Sequence, residues 1–314
     1  MKYIAGIDVG GMTVKIGLFD GEGTLLEKWA IPTRTDGGGE QILPDTADSL
    51  REHLEKAGAS LSDLTGAGIG VPGAVMRDGT VNRCVNLGWG VFSLTEALSS
   101  LLCGIPVFAG NDANVAALGE QWKGGGKGCR SIVMVTLGTG VGGGVVIDGN
   151  ILIGAHGAAG EIGHIQMRED EPETCGCGKH GCLEQYASAR GIARVTKLYL
   201  KEHPEKESSL RSADHISARV LFDEAKKGDA TALEIVEIVC GYLGRGLAAV
   251  AEVVDPEAFV IGGGVSNAGT ILTDTIQKYY VQSVFHASRG TKFVLAELGN
   301  DAGIYGAARM VLNG

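Results

Sequence analysis

Three cysteines of the chain fall within a short glycine-rich segment, and a histidine precedes them. Cys175, Cys177 and Cys182 with His164 make up the Cys₃His set that holds tetrahedral structural zinc, with no coordination position left for water. The intervening glycines allow the tight turns that bring three sulfurs around one ion. Merely buried thiols are an alternative interpretation, and a redox pair is disfavoured because the spacing is C-x-C without a βαβ context.

Glycine is unusually abundant, at 51 of 314 residues, and it gathers at the ends of short apolar runs. Gly10-Gly11, Gly138–Gly144 and Gly262–Gly264 each follow a predicted strand, and converging N–H groups of such loops bind phosphate without adding bulk. Neither of the first two loops fits G-x-x-x-x-G-K-[ST], so a Walker-type NTPase is excluded. The distribution is typical of a phosphate-binding α/β enzyme.

One acidic residue follows a short apolar strand at the position where α/β sheets present catalytic groups. Asp112 comes after Pro106–Ala109, and its carboxylate could accept the proton of an attacking hydroxyl. The alternative is that Asp112 caps the helix predicted over Ala113–Gln121, because Asp is a preferred N-cap residue.

The elements that position these groups occur twice along the chain. Gly10 corresponds to Gly138, and Asp20-Gly21 corresponds to Asp148-Gly149, at one common offset. Each copy reads as a β-meander opened by a glycine loop and followed by alternating helices and buried strands. This alternation predicts mixed or mostly parallel sheets with helices on their faces. The sequence therefore favours a duplicated α/β domain over two unrelated hairpins.

Composition excludes several classes of protein. With 27 basic and 37 acidic residues the net charge is −10, which disfavours binding to nucleic acid or to an anionic membrane surface. No apolar run reaches the roughly 18 residues of a membrane span, and the N-terminus lacks a signal-peptide layout. An odd count of seven cysteines argues against a disulfide framework. We expect a cytoplasmic protein.

The motifs together carry a resemblance. Gly160–His164 followed by Cys175–Glu184 resembles the signature of the ROK family of bacterial sugar kinases. Asp8–Gly11 resembles its first phosphate motif, Leu137–Gly140 its second, and Asn111–Asn114 its catalytic segment. The resemblance covers essentially the whole chain in the right order. It implies the actin-like, ribonuclease-H-like fold, with two duplicated α/β domains and ATP and sugar in the interdomain cleft.

The resemblance also implies a domain division and a reaction. Residues 1–112 with 300–314 would form the smaller N-terminal domain, and residues 113–299 the larger domain carrying the zinc site. The expected reaction is ATP-dependent phosphorylation of a hexose, glucose to glucose 6-phosphate, with Asp112 as general base. Kinases of N-acetylmannosamine, N-acetylglucosamine, fructose or mannose stay open. A sugar-responsive repressor is disfavoured, because it would need a DNA-reading domain ahead of Asp8.

The resemblance further assigns cofactors, partners and site residues. We expect ATP, Mg²⁺ and structural Zn²⁺, a homodimer or homotetramer, and no nucleic-acid or membrane partner. The expected sugar contacts are Gly73, Asn86, Asn111, Asp112, Glu161, His164 and Glu184. The expected nucleotide-binding residues are Asp8, Gly10, Gly11, Met12, Thr13, Lys15, Gly138, Thr139, Gly140, Gly142, Gly262, Gly263 and Gly264.

Several of these residues have a chemical rationale of their own. Asn111 would donate to and accept from two sugar hydroxyls. The carboxylates of Glu161 and Glu184 could each accept two adjacent hydroxyl protons, with zinc holding them in place; an ordinary surface role is the alternative. Asp8 would orient Mg²⁺ or its waters, or else close the first turn by bonding backbone.

One position departs from the family pattern. Met12 stands where the first phosphate motif usually has threonine, and Thr13 follows one residue later. A thioether is a poor acceptor and no donor, and adjacent side chains of an extended segment point to opposite sides. Either a phosphate contact is missing here, or Met12 packs against the domain interface while the other loops hold ATP.

Overall fold

Two five-stranded sheets run through the computed structural model, which describes residues 2–314. In spatial order, the first sheet contains β3 (Leu25–Pro32), β2 (Thr13–Asp20), β1 (Tyr3–Val9), β4 (Leu64–Val71) and β7 (Val107–Asn111). The second contains β10 (Asn150–Ile151), β9 (Val141–Ile147), β8 (Ile132–Leu137), β11 (Ala258–Gly262) and β12 (Lys292–Leu295). A separate hairpin pairs β5 (Thr80–Cys84) with β6 (Trp89–Ser93).

The two sheets share one topology. In the first, β1 and β3 pair antiparallel with β2, while β4 pairs parallel with β1 and with β7. In the second, β9 and β10 pair antiparallel, and β11 pairs parallel with β8 and with β12. The same crossover order in both halves confirms the predicted duplication, which two unrelated hairpins would not produce.

The helices follow the alternation that the sequence predicts. They are α1 (Ile42–Lys56), α2 (Leu94–Leu101), α3 (Asp112–Lys123), α4 (Glu184–Ala187), α5 (Ala189–Glu202), α6 (Ala218–Lys226), α7 (Ala230–Val254), α8 (Thr270–Ser283) and α9 (Ala302–Asn313). Ser188, Ser217 and Asp229 cap α5, α6 and α7 by accepting backbone N–H groups of the first turn. Within residues 2–314, no helix is long and apolar enough to cross a membrane.

The chain separates into two units by the contacts its elements make. The first comprises the chain up to Arg130 together with Gly144–Ala159 and Glu297–Gly314, and the second comprises Ser131–Gly143 and Gly160–Ala296. The predicted boundary of the first domain at Asp112 differs from this division, because α3, which begins there, packs against α9 inside the first unit.

Helix α9 approaches β1, β4 and α3 so closely that each of these neighbours requires glycine at the point of contact. A Cβ at Gly6 of β1 or Gly68 of β4 would lie 2.1 or 1.9 Å from a carbonyl oxygen of α9. A Cβ at Gly119 of α3 would lie 2.2 Å from the Ala302 oxygen. Backbone atoms cannot rotate away from such a clash, so these positions fix how α9 packs in the first unit.

We expect Gly68→Ala to lower the free energy of unfolding by about 3 kcal/mol, because the added methyl would overpack against helix backbone. Gly21→Ala is the matched control in the same unit, since its Cβ would have 3.9 Å to its nearest neighbour. The control should change stability by no more than about 0.5 kcal/mol. Urea unfolding of both variants measures the difference, and equal stabilities would contradict the packing argument.

Candidate active site

The predicted catalytic segment, Asn111–Asn114, begins where β7 ends and α3 starts. The Asn111 Oδ1 accepts hydrogen bonds from the Ala113 and Asn114 N–H groups, at 3.1 and 3.2 Å. Its Nδ2 donates to the Gly73 carbonyl and to the Asp112 Oδ1, both at 3.0 Å. The helix cap is therefore Asn111, and Asp112 is the first helical residue. Since these bonds use the whole amide, the predicted sugar contacts of Asn111 would require exchanging some of them.

The Asp112 carboxylate is held through one oxygen. Its Oδ1 also accepts the Ala113 N–H at 2.8 Å, while Oδ2 accepts no hydrogen bond from residues 2–314. Burial raises the pKa of Asp112, and the nearby Asp8 carboxylate raises it further, against the hydrogen bonds from Ala113 and Asn111. A carboxylate with a raised pKa is a stronger base, so this arrangement suits proton acceptance at Oδ2.

Asp8 and Lys15 face each other across β1 and β2. The Lys15 Nζ lies 3.6 Å from the Asp8 Oδ2 and donates to the Asn300 carbonyl at 3.0 Å. Burial raises the pKa of Asp8, and Lys15 opposes that effect. The first turn is closed by the Gly10 N–H, which donates to the Thr13 carbonyl at 2.9 Å. The part of the chain that is described contains no backbone hydrogen bond to the Asp8 carboxylate, so the turn-closing alternative is not observed.

Met12 lies at the tip of this first loop. The residue is 86% exposed. The Met12 carbonyl accepts the Thr33 N–H at 2.9 Å, and the Thr33 hydroxyl donates to the Gly10 carbonyl at 2.7 Å. Thr13 opens β2 and is exposed. The loop is thus held in place by two hydrogen bonds to Thr33.

In the second unit, the other two glycine loops meet at one cavity. The Gly138 N–H donates to the Gly140 carbonyl at 3.0 Å in a tight turn. Gly263 has a φ of 83°, and a Cβ there would lie 2.6 Å from the Leu137 oxygen, so only glycine allows the approach. Gly138, Thr139 and Gly264 line a cavity of about 960 Å³, a volume that accommodates a nucleotide-sized ligand.

Helices α5 and α6 supply the rest of this cavity, and sequence reasoning missed their residues. Arg190, Arg194 and Lys197 of α5 line it, as do His215 and Phe222 around α6. The signal was present as helical spacing, because positions 190, 194 and 197 share one face of a helix. It lacked a glycine loop or another short motif that would have marked these residues.

The Cys₃His cluster assembles with the geometry that zinc requires. The Cys175 Sγ lies 3.8 Å from the His164 Nδ1, and the Cys177 and Cys182 sulfurs are 3.6 Å apart. All four ligand atoms lie within 4.8 Å of one another. Tetrahedral zinc with Zn–S bonds of about 2.3 Å would separate its sulfurs by about 3.8 Å. The four residues therefore fit the ion, with His164 Nδ1 as the nitrogen that faces it.

Thiol chemistry at the cluster couples metal binding to protons. Burial raises the pKa of the Cys175 thiol to about 12, so without metal this thiol keeps its proton at neutral pH. Zinc binds thiolates, and binding must therefore release protons. The surrounding turn is tight, because Gly181 has a φ of 72° and a Cβ there would lie 1.7 Å from the Arg168 oxygen.

Glu184 joins the cluster to the second glycine loop. Its Oε1 accepts a hydrogen bond from the Cys175 thiol at 3.0 Å and lies 3.9 Å from the His164 Nδ1. A Cβ at Gly140 would lie 2.7 Å from the Glu184 Oε2. Glu161 is more open, with a 65% exposed side chain whose Oε2 lies 3.9 Å from the His164 Nε2. The structure therefore brings these predicted sugar contacts together in the second unit.

The two remaining predicted sugar contacts are Gly73 and Asn86, and Gly73 lies beside the predicted catalytic segment. Gly73 has a φ of 94°, and a Cβ there would lie 3.0 Å from the Arg83 oxygen. Its carbonyl is the one that Asn111 binds. Asn86 lies exposed in the 3₁₀ turn Val85–Leu87, between β5 and β6.

Comparison with known proteins decides the family. The ROK family model matches residues 4–313. The chain belongs to the ROK family. This ROK protein is 43% identical to the glucokinase of Halalkalibacterium halodurans, over 99% of this chain and 95% of that protein. It is 38% identical to the glucokinase of Thermotoga maritima, over 98% and 96% of the two chains.

A solved structure has the same fold. The ROK family glucokinase from Streptomyces griseus, crystallised with glucose and AMPPNP, matches with a TM-score of 0.72 and 33% identity, covering 99% of this chain and 100% of that one. The predicted family and its actin-like fold class are thereby confirmed. The individual site residues stay predictions.

Two substitutions at Asn111 separate its capping oxygen from its donating amide. Asn111→Ala should lower the free energy of unfolding by about 1 kcal/mol, because the cap of α3 is lost. Asn111→Ser keeps an accepting oxygen without the donating amide and should stay within about 0.5 kcal/mol of the parent, since Ser and Asn cap about equally well. Thermal or urea unfolding distinguishes them. Equal losses would mean that the bonds to Gly73 and Asp112, and not the cap, stabilise the segment.

Proposed function

We propose that this ROK protein phosphorylates glucose with ATP, giving glucose 6-phosphate and ADP. Full-length similarity to the glucokinases named above supports the substrates. The observation that carries the chemistry is the Asp112 carboxylate, which is partly buried and held through one oxygen only. A base in that state can take a proton from a sugar hydroxyl without losing its position.

The reaction follows from this arrangement. The 6-hydroxyl oxygen of glucose forms a bond to the γ-phosphorus of ATP, the bond from that phosphorus to the β,γ-bridging oxygen breaks, and ADP leaves. The hydroxyl proton passes to the Asp112 Oδ2. Oδ1 stays bound to the Ala113 N–H and to Asn111, which keep the carboxylate oriented during the transfer. Positioning and charge stabilisation supply most of the catalysis in such phosphoryl transfers.

Binding roles are divided among the remaining residues. The hydroxyls of the sugar bind to Gly73, Asn86, Asn111, Glu161, His164 and Glu184. The nucleotide binds to the glycine loops, and the cavity beside Gly138 and Gly264 takes its nucleoside. Lys15 neutralises phosphate charge, and Asp8 would hold Mg²⁺ or its waters. Magnesium, when bound, neutralises charge that develops on the phosphates.

Zinc has a structural role in this proposal. His164, Cys175, Cys177 and Cys182 would hold it, and the closed ligand set leaves no position for chemistry at the ion. With Nδ1 of His164 facing the ion, its Nε2 is left to face a sugar hydroxyl and Glu161.

The partners and location that the sequence predicts are also part of the proposal. A homodimer or homotetramer in the cytoplasm, without a nucleic-acid or membrane partner, is consistent with a net charge of −10. Sedimentation of the purified protein measures the oligomeric state.

The experiment for the function is coupled ADP release with glucose, mannose, fructose, N-acetylglucosamine and N-acetylmannosamine as acceptors. We expect the highest kcat/KM for glucose. A higher kcat/KM for any other sugar would replace glucose in the proposal, and no ADP release with any of them would overturn the kinase.

Asp112→Asn tests the base. The amide keeps an oxygen that accepts the Ala113 N–H but cannot take a proton, so kcat should fall by roughly 10²-fold or more while glucose still binds. Calorimetric titration with glucose checks binding, and near-normal turnover would remove Asp112 from the mechanism.

The same variant has an expected signature in stability. The pKa of Asp112 is raised in the folded state, so the ionised carboxylate costs stability at neutral pH, and this cost disappears as pH falls through the folded pKa. Asp112→Asn should therefore be at least as stable as the parent at pH 7, with the difference shrinking towards acid pH. A variant destabilised at pH 7 would contradict the raised pKa.

Metal analysis tests the zinc site. We expect one zinc per chain, and Cys182→Ser should lose it and lower the melting temperature, because metal-binding energy contributes to folding. Cys103→Ser is the control, since Cys103 is exposed and outside the cluster. It should keep one zinc. Protein purified without chelator that contains no zinc would overturn the assignment.

A further inference from the structure

One carboxylate in the connection between His164 and Cys175 is buried, although its surroundings are polar. We call residues 165–174 the zinc loop, because they join two of the four zinc ligands. Glu171 lies in this loop and is only 6% exposed, while its neighbours Asp170, Pro172 and Glu173 are exposed. A buried carboxylate requires partners that compensate for its lost hydration.

Those partners are Arg194 and Tyr186. The Arg194 Nη1 and Nη2 donate to the two oxygens of Glu171 at 3.0 and 2.9 Å, which is the bidentate geometry of a strong charge-assisted pair. The Tyr186 hydroxyl donates to the Glu171 Oε2 at 2.6 Å. Burial alone would raise the pKa of Glu171, but these hydrogen bonds outweigh it and the pKa is lowered. The zinc loop is thus fastened by a fully formed ion pair.

Arg194 belongs at the same time to the nucleotide cavity. It lies on α5 and lines the cavity together with Arg190 and Lys197 of the same helix. One guanidinium therefore contacts the zinc loop on one side and borders the cavity on the other.

A second connection leads from Arg194 to the segment that carries Glu184. The Arg194 Nη2 donates to the Gln185 carbonyl at 3.1 Å. The Gln185 side chain accepts the Cys182 N–H and donates to the Glu173 carbonyl, both at 2.9 Å. Gln185 thereby links a zinc ligand to the zinc loop, directly beside Glu184.

We propose that Arg194 is a positioning residue that, through Glu171 and Gln185, fixes the zinc loop and Glu184 to the helix lining the nucleotide cavity. The role in sugar binding rests on the proposed kinase activity, and the role in holding zinc rests on the proposed zinc site, which metal analysis tests separately. Loss of the pair should free the zinc loop, speed zinc release and weaken glucose binding. Because Glu171 does not line the cavity, its loss should leave ATP binding nearly unchanged.

The test compares Arg194→Met, Glu171→Gln and Arg194→Lys with Arg190→Met as the control. Arg190 lines the same cavity, and the hydrogen bonds to the Glu171 carboxylate come from Arg194, Tyr186 and Glu173 instead. We expect zinc release to a chromogenic chelator to become roughly tenfold faster in Arg194→Met and Glu171→Gln, as for other groups that support metal ligands. Arg194→Lys, which keeps one charge, should be intermediate, and Arg190→Met should release zinc like the parent.

Kinetics give the second readout. The KM for glucose should rise by roughly tenfold in Glu171→Gln while the KM for ATP changes by less than about twofold, because the pair supports metal and sugar ligands rather than the nucleotide. Unchanged zinc release in both variants, or a rise confined to the KM for ATP in Arg194→Met, would overturn the proposal and make Arg194 a nucleotide contact. If the parent does not phosphorylate glucose, the proposed function fails, and zinc release still decides the positioning role.

Discussion

The close approach of α9 to β1, β4 and α3 is the constraint on which the first unit depends. It returns the end of the chain to the strands that begin it, and it leaves no room for side chains at Gly6, Gly68 and Gly119. The same contact reaches Asp8, because a Cβ at Gly303 of α9 would lie 2.5 Å from the Asp8 Cγ. The close packing of α9 at its glycine positions therefore fixes the position of the Asp8 carboxylate.

A buried carboxylate completes this framework. Glu120, near the end of α3, accepts backbone N–H groups of Gly125, Glu297 and Leu298 at 2.9, 3.0 and 2.8 Å. These donors belong to the segment that leaves α3 and to the one that leads into α9. One side chain thus ties both segments to the helix whose first residue is Asp112.

Two other carboxylates, those of Glu171 and Asp112, show how the environment of a carboxylate sets its pKa. The Glu171 carboxylate accepts hydrogen bonds from the Arg194 guanidinium and the Tyr186 hydroxyl, and its pKa is lowered. The Asp112 carboxylate accepts hydrogen bonds from the Ala113 N–H and the Asn111 amide and has Asp8 nearby. The effect of burial is the largest, and the pKa of Asp112 is raised. The first carboxylate stays charged and holds a loop, while the second has the raised pKa expected of the proton acceptor that we propose.

Most of the fold and the metal cluster could be predicted because their signals are local. Cys175, Cys177 and Cys182 stand close together, and a glycine loop after a strand is readable at any position. The pairing of Glu171 with Arg194 joins residues that no short motif connects, so only the folded chain reveals it. Likewise, Asn and Asp are both preferred N-cap residues, so the sequence cannot decide whether Asn111 or Asp112 caps α3. The extended backbone of Asn111 in the structure decides it.

Gly140 shows that a motif residue can have more than one physical reason. The sequence explains it by the need to approach phosphate closely. In the structure, a Cβ there would lie 2.7 Å from the Glu184 Oε2, and the other oxygen of Glu184 accepts a hydrogen bond from the Cys175 thiol. A side chain at position 140 would displace the carboxylate that links the zinc cluster to the glycine loop. Glycine at position 140 is therefore needed for the packing of Glu184 as well as for the predicted approach to phosphate.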